Sequence, residues 1–92
     1  MNTVHPTLPL SEQIHARLTE RLQPSALKVT DESAAHAGHA GANASGQGSH
    51  MRVSIASPLF APLSRVQRHR LVYDALQDFI DQGLHALAIE LI

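Results

Sequence analysis

The stretch FAPLSRVQRHRLVYDALQDFIDQGLHALAI, residues 60–89, decides the fold of this chain. Ser64 followed by Gln67 fits a capping box, so the spacing predicts a helix from there to Gly83. Along it Arg65, His69, Val72, Leu76 and Phe79 recur at steps of three and four, with Leu71, Ala75 and Ile80 alongside. The stripe is apolar from Val72 onward. Gly83 is the expected residue just past the helix end, where a positive φ is needed. Leu84 to Leu91 is then apolar on both faces, which predicts a strand flanked by others or covered. A single histidine, His85, stands at its head.

Upstream of this stretch the pieces that pack on it can be read in turn. Leu10, Ile14, Leu18 and Leu22 recur every four residues and predict an amphipathic helix, with Arg17, Glu20 and Arg21 off the apolar stripe. Ser11 is its expected N-cap and Glu12 suits the positive end of the helix dipole. Pro24 closes it, because a proline pushes the preceding residue out of the helical region. Ala26 to Asp31 alternates, with Leu27 and Val29 on one side and Lys28 and Thr30 on the other. His50 to Ser57 alternates again, with Met51, Val53 and Ile55 opposed to Arg52 and Ser54. The two strands are expected to pair antiparallel. Residues 1–10 are expected to be a flexible lead-in, 11–92 a single domain, and 33–49, which lack any large apolar residue, a mobile loop.

The order is therefore helix, strand, strand, helix, strand. A strand–helix–strand crossover sets the last strand parallel to the second. The expectation is an α+β domain of two layers: a three-stranded mixed sheet with both helices on one face. The other face, small and polar, is left open to a partner.

Composition excludes several function classes. With 92 residues there is room for one domain with a thin core. The 7 Lys and Arg against 8 Asp and Glu leave a net charge of −1, unlike that of a protein coating a polyanion. There is no cysteine, hence no disulfide and no thiolate metal site built by this chain alone. No apolar run approaches the roughly 18 residues of a membrane span, and the N-terminus lacks a signal-peptide pattern, so a soluble cytoplasmic protein is expected. No enzyme template fits: no nucleophile stands beside a base, and no phosphate-cradling glycine loop precedes a helix. Histidine is the outlier, its 7 residues matching Lys and Arg together.

Four segments together resemble the BolA family: Asp31-Glu-Ser…His36, Ser49-His-Met-Arg-Val53, Phe60…Arg68-His-Arg-Leu-Val-Tyr73, and His85-Ala-Leu-Ala-Ile89. Pro62 stands where the family usually has glycine, and Met51 where it usually has an aromatic. The resemblance implies a KH-like (type II) α+β fold, in agreement with the order of elements. It also implies a protein that binds a monothiol glutaredoxin and shares a 2Fe-2S cluster with it, in cluster trafficking or iron regulation. Some bacterial members are described as transcriptional regulators.

By that resemblance His85 and His36 are the expected metal ligands, with His39 in reserve. Two imidazoles on one iron, with thiolates on the other, is an established way to hold such a cluster. In a chain without cysteine the sulfur ligands must come from the partner and its glutathione, so no cofactor is expected in the isolated chain. The plain alternatives are a His85 that hydrogen-bonds a neighbouring carbonyl, and solvated loop histidines at His36 and His39. His50 and His69 are read as structural. Arg65, Arg68 and Arg70 form a local basic patch for a partner or nucleic acid, or simply a solvated helix face; Arg70 and Asp74 are spaced to pair. Gly38 to Gly41 spells GxxG but lies in a strand-to-strand loop, where it is a chance match. The rival functions are a DNA-binding regulator using residues 59–76 as a helix-turn-helix, and zinc held by His36, His39 and His85. A membrane partner is not expected, and the oligomeric state is a monomer or weak homodimer.

Overall fold

The computed structural model describes residues 8–32, 50–84 and 86–92. In chain order the elements are α1 (Leu10–Leu22), β1 (Ala26–Asp31), β2 (His50–Ala56), a 3-10 turn (Pro58–Phe60), α2 (Arg65–Ala75), α3 (Gln77–Asp81) and β3 (Ala86–Leu91). The strands form one mixed sheet in the order β1-β2-β3. β1 runs antiparallel to β2, with Leu27 opposite Ile55 and Val29 opposite Val53. β3 runs parallel to β2, with Leu87 beside Met51 and Ile89 beside Val53. The expected architecture is therefore the one observed.

The strand alternation explains where the core sits. Side chains of a strand point alternately to its two faces, and Met51, Val53 and Ile55 all point to the same one. These are buried against Ile14, Leu18 and Leu22 of α1 and against Val72, Leu76 and Phe79 of the α2–α3 pair. The four-residue stripe of α1 is thus its buried face. The opposite face of the sheet carries Lys28, Thr30, Arg52, Ser54, Ala88 and Glu90, and none of the described helices covers it. Among these, Ser54 donates to a Glu90 carboxylate oxygen at 3.0 Å.

Several local expectations need correction. The long helix is two segments, α2 and α3, separated at Leu76, whose φ of −111° and ψ of 10° leave the helical region. No proline or glycine marks that break. The last carbonyls of a helix lack ladder donors, and the Ala75 carbonyl there accepts from Arg17 Nη1 at 2.9 Å. At α1 the residue flanking the helix is Pro9, not Ser11, and no side chain caps it. Pro9 accepts instead through its backbone carbonyl, from Glu12 and Gln13. At the other end Gln23 takes the left-handed conformation (φ 48°) before Pro24. Among the described residues β3 is an edge strand, covered on one face by the helices rather than flanked by strands on both sides. Its two faces differ: Leu87, Ile89 and Leu91 turn toward the helices, and Ala86, Ala88 and Glu90 turn away.

Other expectations hold in detail. Ser64 Oγ accepts from the Gln67 N–H, and the Gln67 side chain accepts from the Ser64 N–H at 2.8 Å, a complete capping box. Gly83 has φ +124°. Its N–H donates to Ile80 O and the Leu84 N–H to Phe79 O, the paired bonds of a Schellman ending. That ending turns the chain from α3 back onto the sheet and delivers it into β3.

Candidate functional site

Two sheet ends differ in chemistry. At one of them β1 finishes, β2 begins and β3 begins. Glu32, just past β1, donates its N–H to the His50 carbonyl at 2.9 Å, and Ala86, first in β3, pairs with His50 from the other side. The central strand's first residue is thus flanked by the exit of β1 and the entry of β3. A depression of about 270 Å³ lies here, lined among others by Glu32, His50, Arg52, Ala86 and Ala88.

The candidate ligands attach to this end. His85 immediately precedes Ala86, and His36 and His39 follow Glu32 by four and seven positions. All three lie outside the described residues. Among the described residues, no group of three or more His, Cys, Asp or Glu side chains is placed to hold a metal ion. The donor chemistry is nevertheless definite. Without cysteine the chain supplies no thiolate, and an iron–sulfur group here would take its thiolates from another molecule.

An ion pair missed by sequence reasoning borders the depression: Arg52 Nε donates to Glu32 Oε2 at 3.1 Å. Arg52 faces Thr30 in the register, so Glu32 lies on the diagonal. That pairing depends on register, which the long connection between β1 and β2 does not dictate. Both side chains are substantially solvent-exposed, so the pair contributes little to stability. Its effect is to hold opposite charges side by side on the open face.

The remaining sequence candidates fall elsewhere. His50 is half-buried at the head of β2. His69 is half-buried on α2, its Nδ1 lying 3.2 Å from Arg65 O. Arg65 and Arg70 are exposed, and the Arg70–Asp74 ion pair does not form among the described residues. Arg68 is half-buried, with Nε donating to the Leu63 carbonyl at 3.0 Å. Arg68 is thus tied to the segment before α2, whereas Arg65 and Arg70 stand exposed. Within residues 59–76, α2 is preceded by a three-residue 3-10 turn rather than by a full first helix. Tyr73, on the exposed side of α2, donates its hydroxyl to the Leu87 carbonyl at 3.2 Å, on the free edge of β3. No described helix is long and apolar enough to cross a membrane.

Comparison with known proteins agrees with this architecture. The BolA-like protein family profile matches residues 18–92. An uncharacterised protein from the cobS 5′ region of Sinorhizobium sp. is 48% identical over 84 residues, covering 90% of this chain and 89% of that one. BolA-like protein 1 of Mus musculus is 39% identical over 82 residues, covering 89% of this chain but 56% of the mouse protein. Among solved structures, the BolA domain of SufE1 from Arabidopsis thaliana superposes with a TM-score of 0.77 at 40% identity, covering 89% of this chain and 88% of that domain. The family-profile match runs from the second half of α1 to the end of the chain described and takes in all three strands. The chain belongs to the BolA-like protein family.

Proposed function

We propose that this chain is a non-enzymatic partner of a monothiol glutaredoxin, and that it supplies His85 and His36 to a 2Fe-2S cluster whose thiolates belong to the glutaredoxin and its glutathione. The observation that carries this reading is the convergence of the β1 exit and the β3 entry on either side of His50. β1 and β3 are two strand spacings apart, about 10 Å. Four residues beyond Glu32 span up to about 14 Å, so chain length permits His36 to meet His85, and His39 as well. Imidazole pairs suit one iron of such a cluster, and the lack of cysteine makes an external thiol donor a requirement. The open sheet face next to the depression gives a partner room to approach, and the exposed side of α2 with β3 offers a docking surface. Trafficking of the cluster or regulation by iron is the role that follows.

The test is anaerobic reconstitution with a monothiol glutaredoxin, glutathione, iron and sulfide. Visible absorption and circular dichroism should change when this protein is added to the glutaredoxin-held cluster. The change should be lost in His85→Ala and reduced in His36→Ala. An unchanged spectrum in His85→Ala, with the variant folded, would rule out the ligand assignment.

A further inference from the structure

The depression at the head of β2 and β3 has two charged side chains among its walls, Arg52 and Glu32, with the small Ala86 and Ala88 beside them. Arg52 is paired across the sheet with Ala88, and His50 with Ala86, so β3 puts no bulk next to the guanidinium. Glu32 takes a single hydrogen bond, from Arg52 Nε. Both terminal nitrogens of Arg52 and the second carboxylate oxygen of Glu32 hold no partner among the described residues. Two opposite charges therefore stand side by side with hydrogen-bonding capacity left on each.

That arrangement selects its ligand. An anion alone would gain from Arg52 and lose to Glu32, and a cation alone would do the reverse. A group with both charges close together gains from each: its carboxylate lies across the terminal nitrogens of Arg52, its ammonium against the free oxygen of Glu32. The α-ammonium and α-carboxylate of an amino acid are separated by one carbon, which matches the 3.1 Å between Nε and Oε2 in scale. The N-terminus of an ordinary peptide has no such pair, because its α-carboxyl is part of the first amide bond. A γ-linked glutamyl residue keeps both groups on one carbon. The depression, at about 270 Å³, falls short of the roughly 300–1,000 Å³ that encloses a whole small ligand. It suits the end of a molecule held elsewhere.

We infer that Arg52 and Glu32 hold the zwitterionic γ-glutamyl end of glutathione, the carboxylate on Arg52 and the ammonium on Glu32. The inference rests on the function proposed above for the presence of glutathione, whose thiolate that reading places on the cluster. With the thiolate held there, contact at the other end is intramolecular, and a weak site suffices.

The test is titration of the isotopically labelled, iron-free full chain, followed by amide NMR shifts. The probes are reduced glutathione and glutaryl-cysteinylglycine, which lacks only the α-ammonium group. Glutathione should shift the amides of Glu32, Arg52, Ala86 and Ala88, and the analogue should bind about fivefold or more weakly. Glu32→Gln and Arg52→Gln should each weaken glutathione binding to a similar degree. Both variants should fold, since an exposed pair contributes little to stability. Absence of these shifts up to about 20 mM glutathione would overturn the inference. So would equal binding of the analogue, or tighter binding to Glu32→Gln, which would mark a plain anion site. A free amino acid carries the same end, so the source is decided in the complex. Glu32→Gln should weaken capture of the glutaredoxin-held cluster by about threefold or more. It should leave binding of the apo glutaredoxin, without glutathione, unchanged. Equal capture of the cluster form would overturn the assignment to glutathione. The iron-free titration does not depend on the ligand assignment, which the His85→Ala spectrum tests separately.

Discussion

Arg17 and Asp78 are joined by two parallel hydrogen bonds, Nη1 to Oδ1 at 2.6 Å and Nη2 to Oδ2 at 2.8 Å, across 61 residues of sequence. The same Nη1 also reaches the Ala75 carbonyl, and the guanidinium lies 4.8 Å from the centre of the Phe79 ring. One side chain of α1 thus fastens both halves of the broken helix.

Replacing Arg17 should therefore cost more than replacing Asp78. Arg17 is only 15% exposed and loses the ion pair, the carbonyl bond and the aromatic contact together. Arg17→Ala should destabilise the chain by about 1.5–3 kcal/mol. Asp78, with a side chain 50% exposed, should cost about 0.5–1 kcal/mol as Asn, after allowance for solvent screening. Urea unfolding of the two variants checks the order. Equal losses would mean that the Ala75 and Phe79 contacts contribute nothing.

Acid should act on the same pair. The hydrogen bond from Arg17, with a smaller contribution from its charge, holds the Asp78 carboxyl below its ordinary value of 3.8. On acidification the unfolded chain therefore takes up this proton before the native chain does. The stabilisation is complete above the ordinary value and disappears as pH falls through the native one. The stability difference between the parent and Asp78→Asn should be constant from about pH 7 to pH 5 and should shrink below about pH 4. A difference that does not change down to about pH 2.5 would contradict this assignment.

The capping box is a local device and should behave as one. Ser64→Ala removes the acceptor for the Gln67 N–H and should cost about 1 kcal/mol. Gln67→Ala should cost less, since the Ser64 N–H it leaves is exposed and can turn to water. Thermal denaturation of both variants provides the measurement.

Gly83 isolates a backbone effect. A Cβ built there meets no atom within 4 Å, so nothing steric opposes a side chain except the φ of +124° itself. Gly83→Ala should cost about 1–3 kcal/mol from that conformation alone. A neutral substitution, measured by urea midpoint, would show that the turn into β3 relaxes to another path.

Much of this was legible from residue order. The period of Ile14, Leu18 and Leu22, the alternation through β1 and β2, the Ser64–Gln67 box and the glycine at Gly83 each rest on neighbours a few positions apart, and local sterics and hydrogen bonds set them. The four family segments were legible for the same reason, and with them the expectation that His85 and His36 act together. Only the folded chain decided the rest. Arg17 lies off its own helix's apolar stripe, and nothing nearby in sequence announces that Asp78, Ala75 and Phe79 will surround it. The break at Leu76 occurs where no helix-breaking residue stands. The Arg52–Glu32 pair needs a strand register that a long connection leaves free, and the depression beside it needs three strand ends brought side by side. Each of these is a meeting of groups distant along the chain, and such meetings are fixed by packing against the shared core rather than by the residues on either side.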